Sequence, residues 1–252
     1  MNLILAAHGT RRPGGVAMIG DLAAQVSTLL DRTVQVTFVD VLGPTPSEVL
    51  SQAADGARAI MVPAFLSRGY HVRADLPAHV AASGHSNVIV TPALGPSGQI
   101  ARIVFDQLMK SGWRPSDSVI LGAAGTSDYR ARADLHTTAT LLSALTGSRV
   151  SLGFAATGAP HVHEAVLRAR RDSTRRVAIA SYLLADGLFQ QRLHSCGADL
   201  VSQPLGTHPG LARLIANRFR RAVPHTSQRL RLRSKPVEHK ALHAWRADAR
   251  NA

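Results

Sequence analysis

His8, Asp40 and His71 are three side chains with free lone pairs, and each sits at or just beyond the end of a short apolar run, at residues 3–7, 34–41 and 59–65. Runs of this kind fill strands of a parallel sheet buried on both faces. Open α/β sheets bind ligands beyond the carboxyl ends of such strands. Two imidazoles and a carboxylate make a borderline ligand set for divalent Fe, Co, Ni or Zn, and imidazoles also accept protons near neutral pH. Other chemistries are poorly supplied. No Gly-x-Ser-x-Gly elbow supports a nucleophilic serine, and no Lys follows a phosphate-cradling glycine loop in a chain with only three Lys. Each of the three residues taken alone has an ordinary reading, as a packed or solvated His or a carboxylate paired with Arg.

The elements that must position them alternate along the chain. A strand at 3–7 precedes a helix over 16–30. A strand at 34–41 carries Asp40, and Pro44-Thr-Pro-Ser-Glu48 opens a helix to about 57, with Thr45 or Ser47 as its cap. The third strand, 59–65, breaks into Ser67-Arg68-Gly69 and then Tyr70-His71-Val72-Arg73. A helix from 76 to 83, a strand at 87–91 and a helix over 98–109 follow.

The pattern then recurs. Val119-Ile-Leu-Gly-Ala-Ala-Gly-Thr126 restates residues 3–10, and 150–155 restates the second strand. Residues 176–184 restate the third, and Gln203-Pro-Leu-Gly206 with Leu211-Ala-Arg-Leu-Ile215 restates 91–104. Several elements repeating in one order at an interval of about 115 residues indicate two similar α/β lobes in tandem. The lobes span 1–112 and 117–222, and the tail, 223–252, lacks periodicity and is expected to be disordered. The repeat also offers an internal comparison. Where the first lobe has His8, Asp40 and His71, the second has Ala124, Ala156 and Leu188 or Phe189. The scaffold is retained while the lone pairs are lost, so the first lobe is expected to hold the site.

The formal net charge is +13. The tail, with seven Lys/Arg against two Asp/Glu, carries about +5 of this. No basic run interleaved with aromatics and no nucleic-acid-binding signature accompanies the charge, so a polyanionic small molecule is the better partner and nucleic acid the weaker one. The single Cys196 excludes internal disulfides and a cysteine metal cage. No run reaches the roughly 18 apolar residues of a membrane span. The apolar start lacks a basic leader and reads as a strand, so a cytoplasmic protein is expected.

Leu5-Ala-Ala-His-Gly-Thr-Arg11, Phe38-Val-Asp-Val41, Pro63-Ala-Phe-Leu-Ser-Arg-Gly-Tyr-His-Val-Arg-Ala-Asp-Leu-Pro77 and Pro92-Ala-Leu-Gly-Pro96 resemble the class II tetrapyrrole chelatases of the sirohydrochlorin chelatase (CbiX/SirB) type, over about residues 3–222. The resemblance implies two flavodoxin-like lobes, each a parallel sheet flanked by helices, with a cleft between them. It implies insertion of Fe²⁺ or Co²⁺ into sirohydrochlorin without nucleotide hydrolysis, in siroheme or cobalamin synthesis. The metal is then a substrate, with no tightly bound cofactor, in a monomer or homodimer that uses neither membrane nor nucleic acid. The family's two active-site histidines fall on His8 and His71. Its acidic residue, usually Glu, falls on Asp40, and Thr10 stands where a Ser is usual. Holding the metal is then the task of His8 and His71. Asp40 balances charge or orients an imidazole. Arg11, Arg68 and Arg73, with Thr10, Ser67, Gly69 and Tyr70, face a substrate bearing eight carboxylates. The competing reading is a non-catalytic metal or tetrapyrrole carrier, with His225, His239 and His243 of the tail gathering metal.

Overall fold

The computed structural model of the chain describes residues 1–54, 56–206 and 208–223. The first lobe contains strands β1 (Asn2–Ala7), β2 (Val34–Phe38), β3 (Ala59–Pro63) and β4 (Val88–Val90), and helices α1 (Pro13–Leu30), α2 (Pro46–Ser51), α3 (Leu76–Ser83) and α4 (Gly98–Lys110). A π-helical turn, His71–Asp75, leads into α3. The second lobe contains β5 (Ser118–Ala123), β6 (Val150–Phe154), β7 (Val177–Tyr182) and β8 (Leu200–Val201), with α5 (Tyr129–Thr146), α6 (Val162–Asp172), α7 (Leu188–His194) and α8 (Pro209–Ala222). The strands form two four-stranded sheets, in the order β2-β1-β3-β4 and β6-β5-β7-β8, and every pairing is parallel. These are the two tandem α/β lobes expected from the repeat. The basic tail with His225, His239 and His243 lies outside the described residues. No helix among the described residues is long and apolar enough to cross a membrane.

Local chemistry accounts for the elements. From Leu3 onward β1 is buried on both faces, as a central parallel strand must be. Ile19, Leu22, Ala23 and Val26 form the buried stripe of α1, with Pro13 in its first turn. Thr45 caps α2 in a reciprocal box with Glu48, and Ser97 caps α4 through the amide of Ile100.

The second helix ends at Ser51, short of 57, and β3 at Pro63, short of 65; two further differences from the sequence reading bear on the site. β2 stops at Phe38 instead of reaching 41, because the chain folds back: Phe38 N–H bonds the Pro44 carbonyl at 3.0 Å, and Val41 takes a left-handed φ of 72°. Asp40 therefore stands on a loop beyond the strand. The second feature is an exchange of helices. The expected boundary at 112–116 lies in the loop between α4 and β5, yet α4 packs on α5 and β7 of the second lobe, and α8 packs back on α1 and β3. One apolar cluster consequently runs from Leu3 to Phe219 through both lobes. Buried Gln107 of α4 seals the exchange by donating to the Pro204 carbonyl at 2.7 Å.

Candidate active site

The exchange leaves the carboxyl ends of both sheets lining one cleft of about 590 Å³, within the range of small-molecule sites. His8 enters it directly after β1. The turn behind it requires glycine: Gly9 has φ +89°, and a Cβ there would stand 2.2 Å from the Asp40 carbonyl oxygen. Gly125 repeats the arrangement against Thr157 at φ +108°. That explains why Gly-Thr survives in both lobes although the preceding His does not.

His71 arrives from β3 by way of the loop and the π-helical turn. Its ring meets that of His8 edge to face, with centroids 4.4 Å apart, and Phe65 lies over it in a stacked arrangement at 6.0 Å. The hydrogen bonds assign the free nitrogens. A carbonyl only accepts, so His8 Nδ1–H donates to the Gly9 oxygen at 3.0 Å. His71 Nδ1 lies 2.5 Å from Asp75 Oδ2 and donates to it. Both rings then keep Nε2 as a lone-pair donor, the form in which imidazole binds metal. Among the described residues no group of three His, Cys, Asp or Glu is placed to hold a metal ion. Two nitrogen donors with open positions suit a metal passed onward better than the closed four-ligand cage of a structural site.

Asp75 is absent from the residues that the sequence reading places in the site, although its spacing of four from His71 is a legible signal. Asp40 is not in this constellation. It is exposed and outside the cleft lining, and its Oδ1 accepts the amide of Val41 at 2.7 Å. Thr10, Ser67, Gly69 and Tyr70 line the cleft. The three arginines do not. Arg11 is exposed outside it. Arg68 makes a forked ion pair with Asp134, a carboxylate only 1% exposed, at 2.5 Å from Nη2. Arg73 pairs with Asp128. Lobe packing, which sequence spacing does not reveal, thus engages two of the three arginines in inter-lobe ion pairs. The Arg68 guanidinium is held charged above its ordinary value by Asp134, and Arg73 holds Asp128 below the usual carboxylate value.

The second lobe supplies the facing wall. Strand register equates Ala59 with Val177, which carries His71 onto Phe189 and resolves the choice left open between Leu188 and Phe189. Ala124, Ala156 and Phe189, the counterparts of His8, Asp40 and His71, all line the cleft together with Leu183 and Leu184. The cleft therefore has the imidazoles on one side and apolar counterparts at the matching positions on the other, where Thr126, Ser127, Asp128 and Thr157 add polar groups.

The CbiX family model matches residues 2–111 and 118–222, one stretch in each lobe. The sirohydrochlorin ferrochelatase of Priestia megaterium is 23% identical over 236 residues, spanning 86% of this chain and 89% of that protein. The sirohydrochlorin cobaltochelatase of Methanopyrus kandleri is 32% identical over 78 residues, which is 30% of this chain and 54%, about half, of that relative's length. Among solved structures, SirB of Bacillus subtilis with Fe³⁺ superimposes with a TM-score of 0.75 at 18% identity, covering 87% of this chain and 95% of that one. With a family model accounting for nearly all of the described residues and a duplicated sheet that ends on a pair of facing imidazoles, the chain belongs to the CbiX family.

Proposed function

We propose that this protein inserts Fe²⁺ or Co²⁺ into sirohydrochlorin without nucleotide hydrolysis. The observation that carries the reading is the His8–His71 pair, with rings 4.4 Å apart in the lining of the cleft between the two sheets. Support also comes from membership of the CbiX family and from relatives named for ferrochelatase and cobaltochelatase activity. Metal insertion must present a partly desolvated dication to one face of a macrocycle and remove two pyrrole protons. The Nε2 atoms of His8 and His71 hold the ion while leaving most of its coordination positions to water and then to the macrocycle. As the metal moves away, those freed lone pairs accept the pyrrole protons. Asp75 keeps the His71 ring oriented and stabilises the imidazolium that results. The opposite wall of Ala124, Ala156, Leu184 and Phe189 seats the apolar face of the ring system. The reading carries with it a cytoplasmic enzyme, a metal that is substrate and not a resident cofactor, and attraction of the polycarboxylate by the net positive charge of the chain.

The test is anaerobic insertion of each metal into sirohydrochlorin, followed by absorbance, for wild type, His8→Ala, His71→Ala and a chain ended at Val223. Turnover lost in both histidine variants and kept in the shortened chain is expected, and the ratio of the two rates assigns the metal. Tight macrocycle binding with turnover no faster than the uncatalysed background would sink the enzyme and leave a carrier.

A further inference from the structure

The loop that delivers His71 belongs to the first lobe, but the side chains that hold it belong to the second. Beyond β3, and apart from the backbone bonds that carry it into α3, such as Leu76 N–H to the His71 carbonyl, the loop 66–73 is held by three sets of side-chain contacts from lobe two. Tyr182, at the end of β7, donates its hydroxyl to the Leu66 carbonyl at 2.8 Å. Asp134 of α5 accepts the Arg68 backbone amide at 2.8 Å and the Arg68 guanidinium through both of its oxygens. Asp128 pairs with Arg73. The two central anchors are buried, Asp134 at 1% and Tyr182 at 3% exposure, and the Thr138 hydroxyl joins them, sharing its one proton between the Asp134 carbonyl at 3.0 Å and the Tyr182 oxygen at 3.2 Å.

A buried carboxylate is costly unless paired, and Asp134 is spent on one loop residue of the other lobe. Its counterpart in the first lobe, by the alignment of α5 with α1, is Met18, and that of Tyr182 is Ala64. These anchors are therefore not inherited features of the repeated scaffold. The second lobe lacks the imidazoles and carries, in addition, the groups that grip the imidazole loop of its neighbour.

We propose that Asp134 and Tyr182 are positioning residues. They act through Leu66 and Arg68 to fix the backbone that presents His71 to His8. The inference rests on the metal-insertion reading of the histidine pair and extends it, giving the second lobe a task beyond that of a passive wall. Metal affinity and rate both depend on donor geometry held to a fraction of an ångström, and partners one step removed from a ligand commonly change either by about 10–100-fold.

The test uses the full chain as Asp134→Asn and Tyr182→Phe, with Asp21→Asn as an exposed control. Two quantities are read: hydrogen exchange of the peptide covering 64–76, and Co²⁺ affinity with the visible spectrum of the bound ion, which reports its donor geometry. Faster exchange confined to 64–76 is expected, with Co²⁺ bound about tenfold more weakly and an altered spectrum. Turnover should fall by a similar factor at nearly unchanged KM for the macrocycle. Should Asp134→Asn fail to fold, Tyr182→Phe, which keeps the buried ring and removes one hydroxyl, decides alone. Wild-type exchange and a wild-type Co²⁺ spectrum in a folded variant would overturn the proposal. A wild type that bound Co²⁺ without inserting it, with the expected exchange and Co²⁺ changes in the variants, would instead overturn the chelatase reading and leave the positioning role standing.

Discussion

Removing the Asp75 carboxylate isolates the group that orients His71. Asp75→Ala deletes the acceptor 2.5 Å from His71 Nδ1, freeing the ring to rotate and to place its proton on Nε2, where it would block the metal. Loss of such an orienting carboxylate costs about 10–100-fold in metal affinity, or roughly 1.4–2.7 kcal/mol. The two side chains are 31% and 28% exposed, so solvent screens part of the pairing, and a loss of about 10–30-fold is the expectation. Fold stability should fall by no more than about 0.5 kcal/mol, the usual worth of an i,i+4 pair near the surface. Asp75 makes no side-chain cap bond to α3 that would add to this. Asp75→Asn keeps an oxygen that can accept from Nδ1 and should lie between wild type and alanine. Asp40→Ala is the contrast: its carboxylate is exposed and tied to the next amide, so the expected change is within about twofold. Anaerobic Co²⁺ titration followed in the visible, beside initial insertion rates, measures all three. A tenfold loss in Asp40→Ala with none in Asp75→Ala would refute the assignment and restore Asp40 as the acidic partner.

Gly9→Ala should destabilise the chain by about 2–4 kcal/mol, lowering Tm by roughly 5–15 °C, because the new Cβ combines left-handed strain with a clash against the Asp40 carbonyl; a melting curve within a degree of wild type would contradict this. The Asp128 carboxylate is held low first by Arg73 and then by the amides of Arg130 and Ala131. A group with a depressed folded pKa stabilises fully above its unfolded value and loses that contribution as pH falls through the folded one. The stability gap between wild type and Asp128→Asn should therefore be constant above about pH 5 and close below about pH 4; a gap that widened in acid would show the sign to be wrong. Phe189→Ala should raise KM for the macrocycle several-fold and leave Co²⁺ affinity unchanged, since it removes apolar wall and no donor; a loss of metal affinity instead would place Phe189 with the imidazoles.

Much of this molecule is written locally. Apolar runs specify strands whether or not the rest of the chain is known, so β1 and β3 were legible to within a residue or two, and Thr45 and the helix over 76–83 were legible from caps and periodicity. The repeat was legible too, because the glycine turn after β1 and after β5 meets the same backbone constraint in each lobe. His8 and His71 could be paired because parallel-strand topology sends neighbouring strand ends to one edge. Asp40 shared their pattern without their destination: β2 ends early because Phe38 bonds to Pro44 and the chain turns back, a choice made by contacts beyond the strand itself.

What tertiary structure alone decided concerns partners far apart in sequence. Helical periodicity announces that α4 and α8 each have an apolar face, but any apolar sheet can cover it, and only the packed molecule shows the two helices exchanged between lobes. Arg68 and Arg73 read as free cations facing a polyanion until the exchange brings Asp134 and Asp128 against them. A charge has no sequence marker for its partner, because Coulomb attraction depends on distance in space and on the water left between the groups. The chain by itself therefore determined which lobe carries the imidazoles, and the folding of one lobe against the other determined which side chains hold them in place.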